Sequence, residues 1–158
     1  MGRKHTFMDH EFRREDYDPY DQGDYITNLV FVAMAFSGQE SDEIYSAIKD
    51  ECPKLNLQTK RVDENVGFGF IIREISELIE DAEFIIFDLT YERPNVYYEL
   101  GYAHGIGNEP MDVLLIAKEG TKIHFDIAPL RIQFYRSTEH LRAIISSSLT
   151  EMIRKTRR

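Results

Sequence analysis

From Asn28 onward the chain alternates between two apolar patterns. Leu29-Val30-Phe31-Val32-Ala33-Met34 is an unbroken apolar run, the mark of a strand buried on both faces. Ser41 opens a helical pattern in which Ile44, Ala47, Ile48 and Glu51 are spaced by three and four, with Pro53 expected to end it. Residues 55–62 alternate apolar and polar side chains as an edge strand does. Beyond Gly67 and Gly69, an apolar stripe of Phe70, Ile71, Ile75, Leu78, Ile79 and Ala82 predicts a second helix. Residues 83–88 read as another central strand, 89–94 as a loop, and 95–106 as a third helix closed by Gly107. Two more strands are expected over 111–117 and 131–135. A terminal helix over 137–158 would turn Leu141, Ile144, Ile145, Leu149 and Ile153 inward, and its basic end suits the negative pole of the helix dipole.

This succession of strands and helices implies a parallel sheet covered on both faces. Five strands favour the order 2-1-3-4-5, an α/β fold of the flavodoxin-like, three-layer α/β/α type. Residues 1–26 are polar, with almost no aliphatic side chains and alternating charge (Arg13-Arg14-Glu15-Asp16). They read as a mobile arm ahead of a single α/β domain over 27–158.

Composition narrows the classes of function. The 158 residues, 42% hydrophobic and 30% charged, suit one globular domain. The longest apolar runs are strand-sized, so no membrane span is expected, and the polar start does not read as a secretory signal. One cysteine, Cys52, cannot form an internal disulfide, which points to a reducing cytoplasm. A net charge of -9 argues against general nucleic-acid binding, which needs a basic face. A small anion is still accommodated, because helix N-termini and a few local cations can form its site. The histidines are scattered and form no cluster with Cys52, so no metal is expected. Gly67 and Gly69 do not make a phosphate loop, and no other cofactor signature is present.

In doubly wound sheets, ligands bind beyond the carboxyl ends of the strands, where the winding reverses. Here that places Met34, Phe36 and their neighbours after the first strand opposite the segment from Asp88 to Glu99, with Arg61 and Asp63 able to reach the same crevice. Pro94 constrains the chain before the third helix, and Asn95 is a candidate N-cap. Glu99 falls one turn above Asn95 on the same face, where the helix dipole favours its ionised form. Flanking aromatics such as Tyr98 can exclude water and stack on a flat base. An ionised glutamate beside a stacking surface is what attack on a sugar C1′ requires. Plainer roles compete with each of these. Glu99 can be a favourable charge near a helix start, Asp88 a capping residue at a strand end, and Arg61 with Asp63 a surface ion pair. Gly101 can serve close packing of helix on sheet. Tyr97, Tyr98 and Tyr102 cannot share one face, so at least one belongs to the core. His104, about 140° around the helix from Glu99, is a poor partner for it.

The strand-one Phe-Val-Ala-Met-Ala-Phe, Arg61-x-Asp63, Ile-x-x-Ala-Glu-Phe-Ile-Ile-Phe-Asp-Leu-Thr and Pro-Asn-Val-Tyr-Tyr-Glu-Leu-Gly-Tyr-Ala-His together resemble the nucleoside 2-deoxyribosyltransferase-like proteins. They resemble more closely the bacterial nucleotide-binding relatives with a Toll/interleukin-receptor-like domain. The resemblance covers roughly residues 28–127. It implies a flavodoxin-like fold, a purine or pyrimidine ligand, and cleavage or transfer at an N-glycosidic bond. It also implies roles: Glu99 as nucleophile, Asp88 as the acid handling base or sugar, and Arg61, Asp63 and Asn95 as pocket lining, with Met34 and Phe36 covering the ligand. The chain departs from the transferases in its Met34-Ala35-Phe36 turn and in the Pro-Asn-Val-Tyr-Tyr approach to Glu99.

Two functions follow as expectations. One is an enzyme that opens a nucleotide or nucleoside N-glycosidic bond, with NAD a candidate substrate through the Toll/interleukin-receptor-like kinship. The other is a non-catalytic nucleotide sensor using the same pocket. A homo-oligomer is expected by analogy, with exposed tyrosines such as Tyr97 or Tyr102 as contacts. The setting, whether salvage, signalling or antiviral defence, is again analogy. A response-regulator phosphoacceptor is set aside, because strand one ends without acids and no lysine follows strand five.

Overall fold

The unbroken apolar runs become the interior strands of one parallel sheet. A computed structural model describes residues 25–35, 38–62, 68–91 and 93–157, with side chains of the helix beginning at Phe68 described from residue 73. The elements are β1 (Ile26–Ala33), α1 (Gln39–Glu51), β2 (Gln58–Lys60), α2 (Phe68–Asp81), β3 (Ala82–Asp88), α3 (Pro94–Gly105), β4 (Val113–Lys118), β5 (Ile132–Tyr135) and α4 (Thr138–Thr156). The strand order is β2-β1-β3-β4-β5, every pairing is parallel, and the flavodoxin-like architecture expected from the sequence is the one found.

Strand alternation sorts the core into two layers. Val30, Val32 and Met34 of the first strand and its end join Phe84, Ile86, Leu114 and Ile116 beneath α1 and α4. Leu29, Phe31 and Ala33 join Ile85, Phe87, Val113 and Leu115 beneath α2 and α3. Each fully buried Phe or Ile here contributes about 1.5–3 kcal/mol relative to exposure.

Two expectations are corrected. The second strand is only Gln58–Lys60, because a 3₁₀ turn (Cys52–Leu55) with Pro53 in its first turn extends the preceding helix and Asn56 then takes a left-handed conformation. The α-helix itself ends at Glu51, ahead of Pro53 as expected, and the proline sits in the first turn of the 3₁₀ segment, where it has no hydrogen bond to lose. On α4, Met152 is buried, whereas Ile153 is only partly so.

Arg157, just beyond α4, holds the amino ends of β1 and β3 together. Arg157 donates through Nε to Glu83 Oε1 at 2.8 Å and through its terminal nitrogen to Oε2 at 2.7 Å. The same guanidinium donates to the Asn28 side chain at 2.7 Å, and the Asn28 amide donates to Glu83 at 2.6 Å. Asn28 has φ 69°, at the register shift in β1. The basic terminus thus does more than complement a dipole: it ties α4 to β1 and β3. β1 begins at Ile26, inside the stretch assigned to the arm, and residues 1–24 lie outside the described residues.

Candidate functional site

At the carboxyl edge, α3 carries one half of the candidate chemistry and the strand ends carry the other. Pro94 is the first residue of α3, and the cap is Arg93, extended at φ −73° and ψ 129°, with no side-chain cap bond. Proline forces an extended residue before it and suits the first helical position. Asn95 is therefore inside the helix and is not the N-cap. Its side chain instead bonds the Glu99 carboxyl one turn on, on the shared face that their spacing predicts.

Glu99 is 5% exposed. Burial pushes its carboxyl up to about 7, only partly offset by the Asn95 bond. The expected bias toward the ionised form is overturned: the dipole acts mainly within the first turn, Glu99 lies beyond it, and desolvation is the larger effect. Among the described residues no cation pairs with it.

Asp88 ends β3 with its side chain on the α1/α4 face, as Phe84 and Ile86 have theirs. It is 4% exposed. Its Oδ1 accepts from the amide of Thr90 at 3.0 Å and from the Thr90 hydroxyl. The Tyr135 hydroxyl lies 3.4 Å from Oδ2 and 3.0 Å from Thr90 Oγ. Burial raises the carboxyl above its usual range, against the pull of these donors. Burial and the nearby Asp88 push the Tyr135 phenol well above its ordinary range. The Lys118 amide donates to Thr90 Oγ at 3.0 Å, fixing the turn after β3 to the end of β4.

A second network spans three strand–helix junctions. Glu40, in the first turn of α1, receives the Lys118 ammonium on Oε1 and the Tyr91 hydroxyl on Oε2. These bonds lower the Glu40 carboxyl below its usual range and raise Lys118. Beside them, Arg61 reaches Asp42 at 3.4 Å, lies 4.2 Å above the Tyr45 ring, and brings a guanidinium nitrogen 4.0 Å from Met34 Sδ.

The predicted residues therefore fall into groups. Asn95 and Glu99 are joined, as are Met34 and Arg61, with the Met34 side chain inside the α1/α4 core. Among the described residues, no hydrogen bond or ion pair joins Glu99 to Asp88, whose helix and side chain lie over opposite faces of the sheet. Phe36 and Asp63 lie outside the described residues. Tyr98 is 71% exposed, whereas Tyr97 and Tyr102 pack on the α2/α3 core, so the exposed tyrosine is not either of the two expected. Gly101 is exposed, and a Cβ there would meet nothing, so close packing does not account for it. Sequence reasoning missed Thr90, Tyr135, Tyr91, Glu40 and Lys118. The Asp-x-Thr spacing of Asp88 and Thr90 was a legible turn signal, and Lys118, closing the β4 run, was a cation at a carboxyl end.

No family model matches the chain, and the comparison with curated proteins gives no match. Solved structures do match. BcmB, a CMP N-glycosidase from Clostridium botulinum, is 15% identical with a TM-score of 0.60, over 75% of this chain and 98% of its own. A flavo di-iron protein variant from Thermotoga maritima is 19% identical with a TM-score of 0.63, over 82% of this chain but 37% of that protein. A flavodoxin-like domain from a Synechococcus species is 16% identical with a TM-score of 0.54, over 82% of this chain and 99% of that domain. At these identities the likeness establishes the fold, and the chain is a flavodoxin-like α/β protein.

Proposed function

We propose that this chain opens the N-glycosidic bond of a nucleoside or nucleotide, in the manner of nucleoside 2-deoxyribosyltransferase-like enzymes, with Glu99 as the acting carboxylate. The observation that carries this reading is the Glu99 side chain itself, 5% exposed and partnered, among the described residues, by the neutral amide of Asn95. A buried carboxyl without a cation lowers stability, and such groups concentrate where chemistry needs them. The likeness to a CMP N-glycosidase over nearly that protein's whole length supports the same class of reaction.

In the reaction, ionised Glu99 attacks or stabilises C1′ as the C1′–N bond breaks. The bonding pair leaves with the base, which takes up a proton. Water then adds to C1′ and releases Glu99, or a second base adds and the reaction becomes transfer. Asp88 holds a sugar hydroxyl or supplies the proton, and its raised carboxyl suits the latter. Arg61, backed by the buried Met34 and lying over the Tyr45 ring, borders the crevice. Tyr98 offers an exposed ring to the base or to a second copy of the chain.

The test is incubation of the wild type and Glu99→Gln with deoxynucleosides, ribonucleosides, nucleoside monophosphates and NAD, with products resolved by chromatography. Free base from the wild type alone supports the proposal and identifies the substrate. If no base appears while a panel member raises the melting temperature, the protein is a nucleotide sensor and Glu99 a binding residue.

A further inference from the structure

We infer that the Lys118 ammonium and the Tyr91 hydroxyl form the seat of a phosphate monoester, which the Glu40 carboxylate fills in the unliganded protein. The inference rests on the carboxyl-edge crevice being the nucleotide site proposed above, but not on bond cleavage. Lys118 closes β4, Tyr91 follows β3 and Glu40 opens α1, so donors from two junctions converge on an acceptor from a third. Each Glu40 oxygen takes one donor, an arrangement that two phosphate oxygens can reproduce.

The Glu40 carboxylate is easily displaced. The side chains of Lys118 and Glu40 are 50% and 46% exposed, and exposed pairs of this kind contribute little stability. A phosphate monoester near neutral pH carries more charge than a carboxylate and holds an ammonium more strongly. Glu40, on the solvent side of α1, can turn into water when displaced. The other carboxylate of that turn, Asp42, faces Arg61 and so does not compete for Lys118. The first turn of α1 adds to the attraction: its cap is Gly38, which has no side chain to cap the helix. In a chain of net charge -9, an internal carboxylate also holds the cation in place until a stronger anion arrives.

Calorimetric titration of the full chain tests this, using nucleoside 5′-monophosphates, the matching nucleosides and inorganic phosphate. The wild type is compared with Lys118→Met and Glu40→Gln, both at surface positions, with melting temperatures recorded to confirm folding. The seat predicts that Lys118→Met lowers the monophosphate-to-nucleoside affinity ratio about tenfold or more. Glu40→Gln, by removing the competing carboxylate, raises that ratio about threefold. Breaking a merely structural ion pair would move both variants the same way, or neither, and that result overturns the inference. Inorganic phosphate bound as tightly as any monophosphate, with the same two opposite responses, keeps the seat and assigns it to the free anion. Lys118-dependent monophosphate binding without base release leaves the seat standing and removes the proposed reaction. Base release that is indifferent to the phosphate and to Lys118 does the reverse.

Discussion

At Glu99, burial and helix position pull in opposite directions, and the outcome is measurable. The folded carboxyl, at about 7, holds its proton more tightly than the unfolded chain does at 4.5. The unfolded state therefore ionises first as pH rises, and stability falls from about pH 4.5 to about pH 7, with a full cost of about 3 kcal/mol above that range. Glu99→Gln keeps an amide for Asn95 and removes the titration. In urea denaturation it should be more stable than the wild type by about 3 kcal/mol at pH 8 and by less than about 1 kcal/mol at pH 5. Equal stabilities at both pH values would mean that the carboxyl is not desolvated in the folded protein. Its turn partner Asn95 was legible from i, i+4 spacing alone. Its depth was not, because burial depends on what the neighbouring elements place over it.

At the scale of elements, the sequence carried most of the sheet, since runs such as Phe84-Ile85-Ile86-Phe87 can only be central strands. It misjudged β2, where local turn geometry at Asn56 overrode the alternation of residues 55–62. The Glu40–Tyr91–Lys118 network could not be read from the sequence. Its members lie 51 and 78 residues apart, and only the parallel packing of β1, β3 and β4 brings them together. Two substitutions test the elements themselves. Gly101→Ala on the exposed face of α3 should raise stability by about 0.5–1 kcal/mol, because the backbone is helical and a methyl group meets nothing. A loss would show that something covers that face. Arg157→Ala should cost about 2 kcal/mol in denaturant unfolding, by stranding the buried Glu83, while leaving nucleotide affinity unchanged, because that clamp is at the amino edge.

For the whole molecule, the parallel order places every β–α junction on one edge of the sheet, and that edge gathers Glu99, Asp88, Lys118, Tyr91 and Arg61. Among the described residues, no helix is long and apolar enough to cross a membrane. The central claim is that Glu99 acts on C1′ as an ionised group, and the pH dependence of base release addresses it most directly. The measurement is kcat/KM for the best substrate of the panel from pH 5 to pH 9, for the wild type and Glu99→Gln. The account predicts that the wild-type value rises about tenfold per pH unit below 7 and levels above it, with the variant inactive throughout. A wild-type profile that is flat or falling through pH 7, or a variant that still releases base, would contradict it.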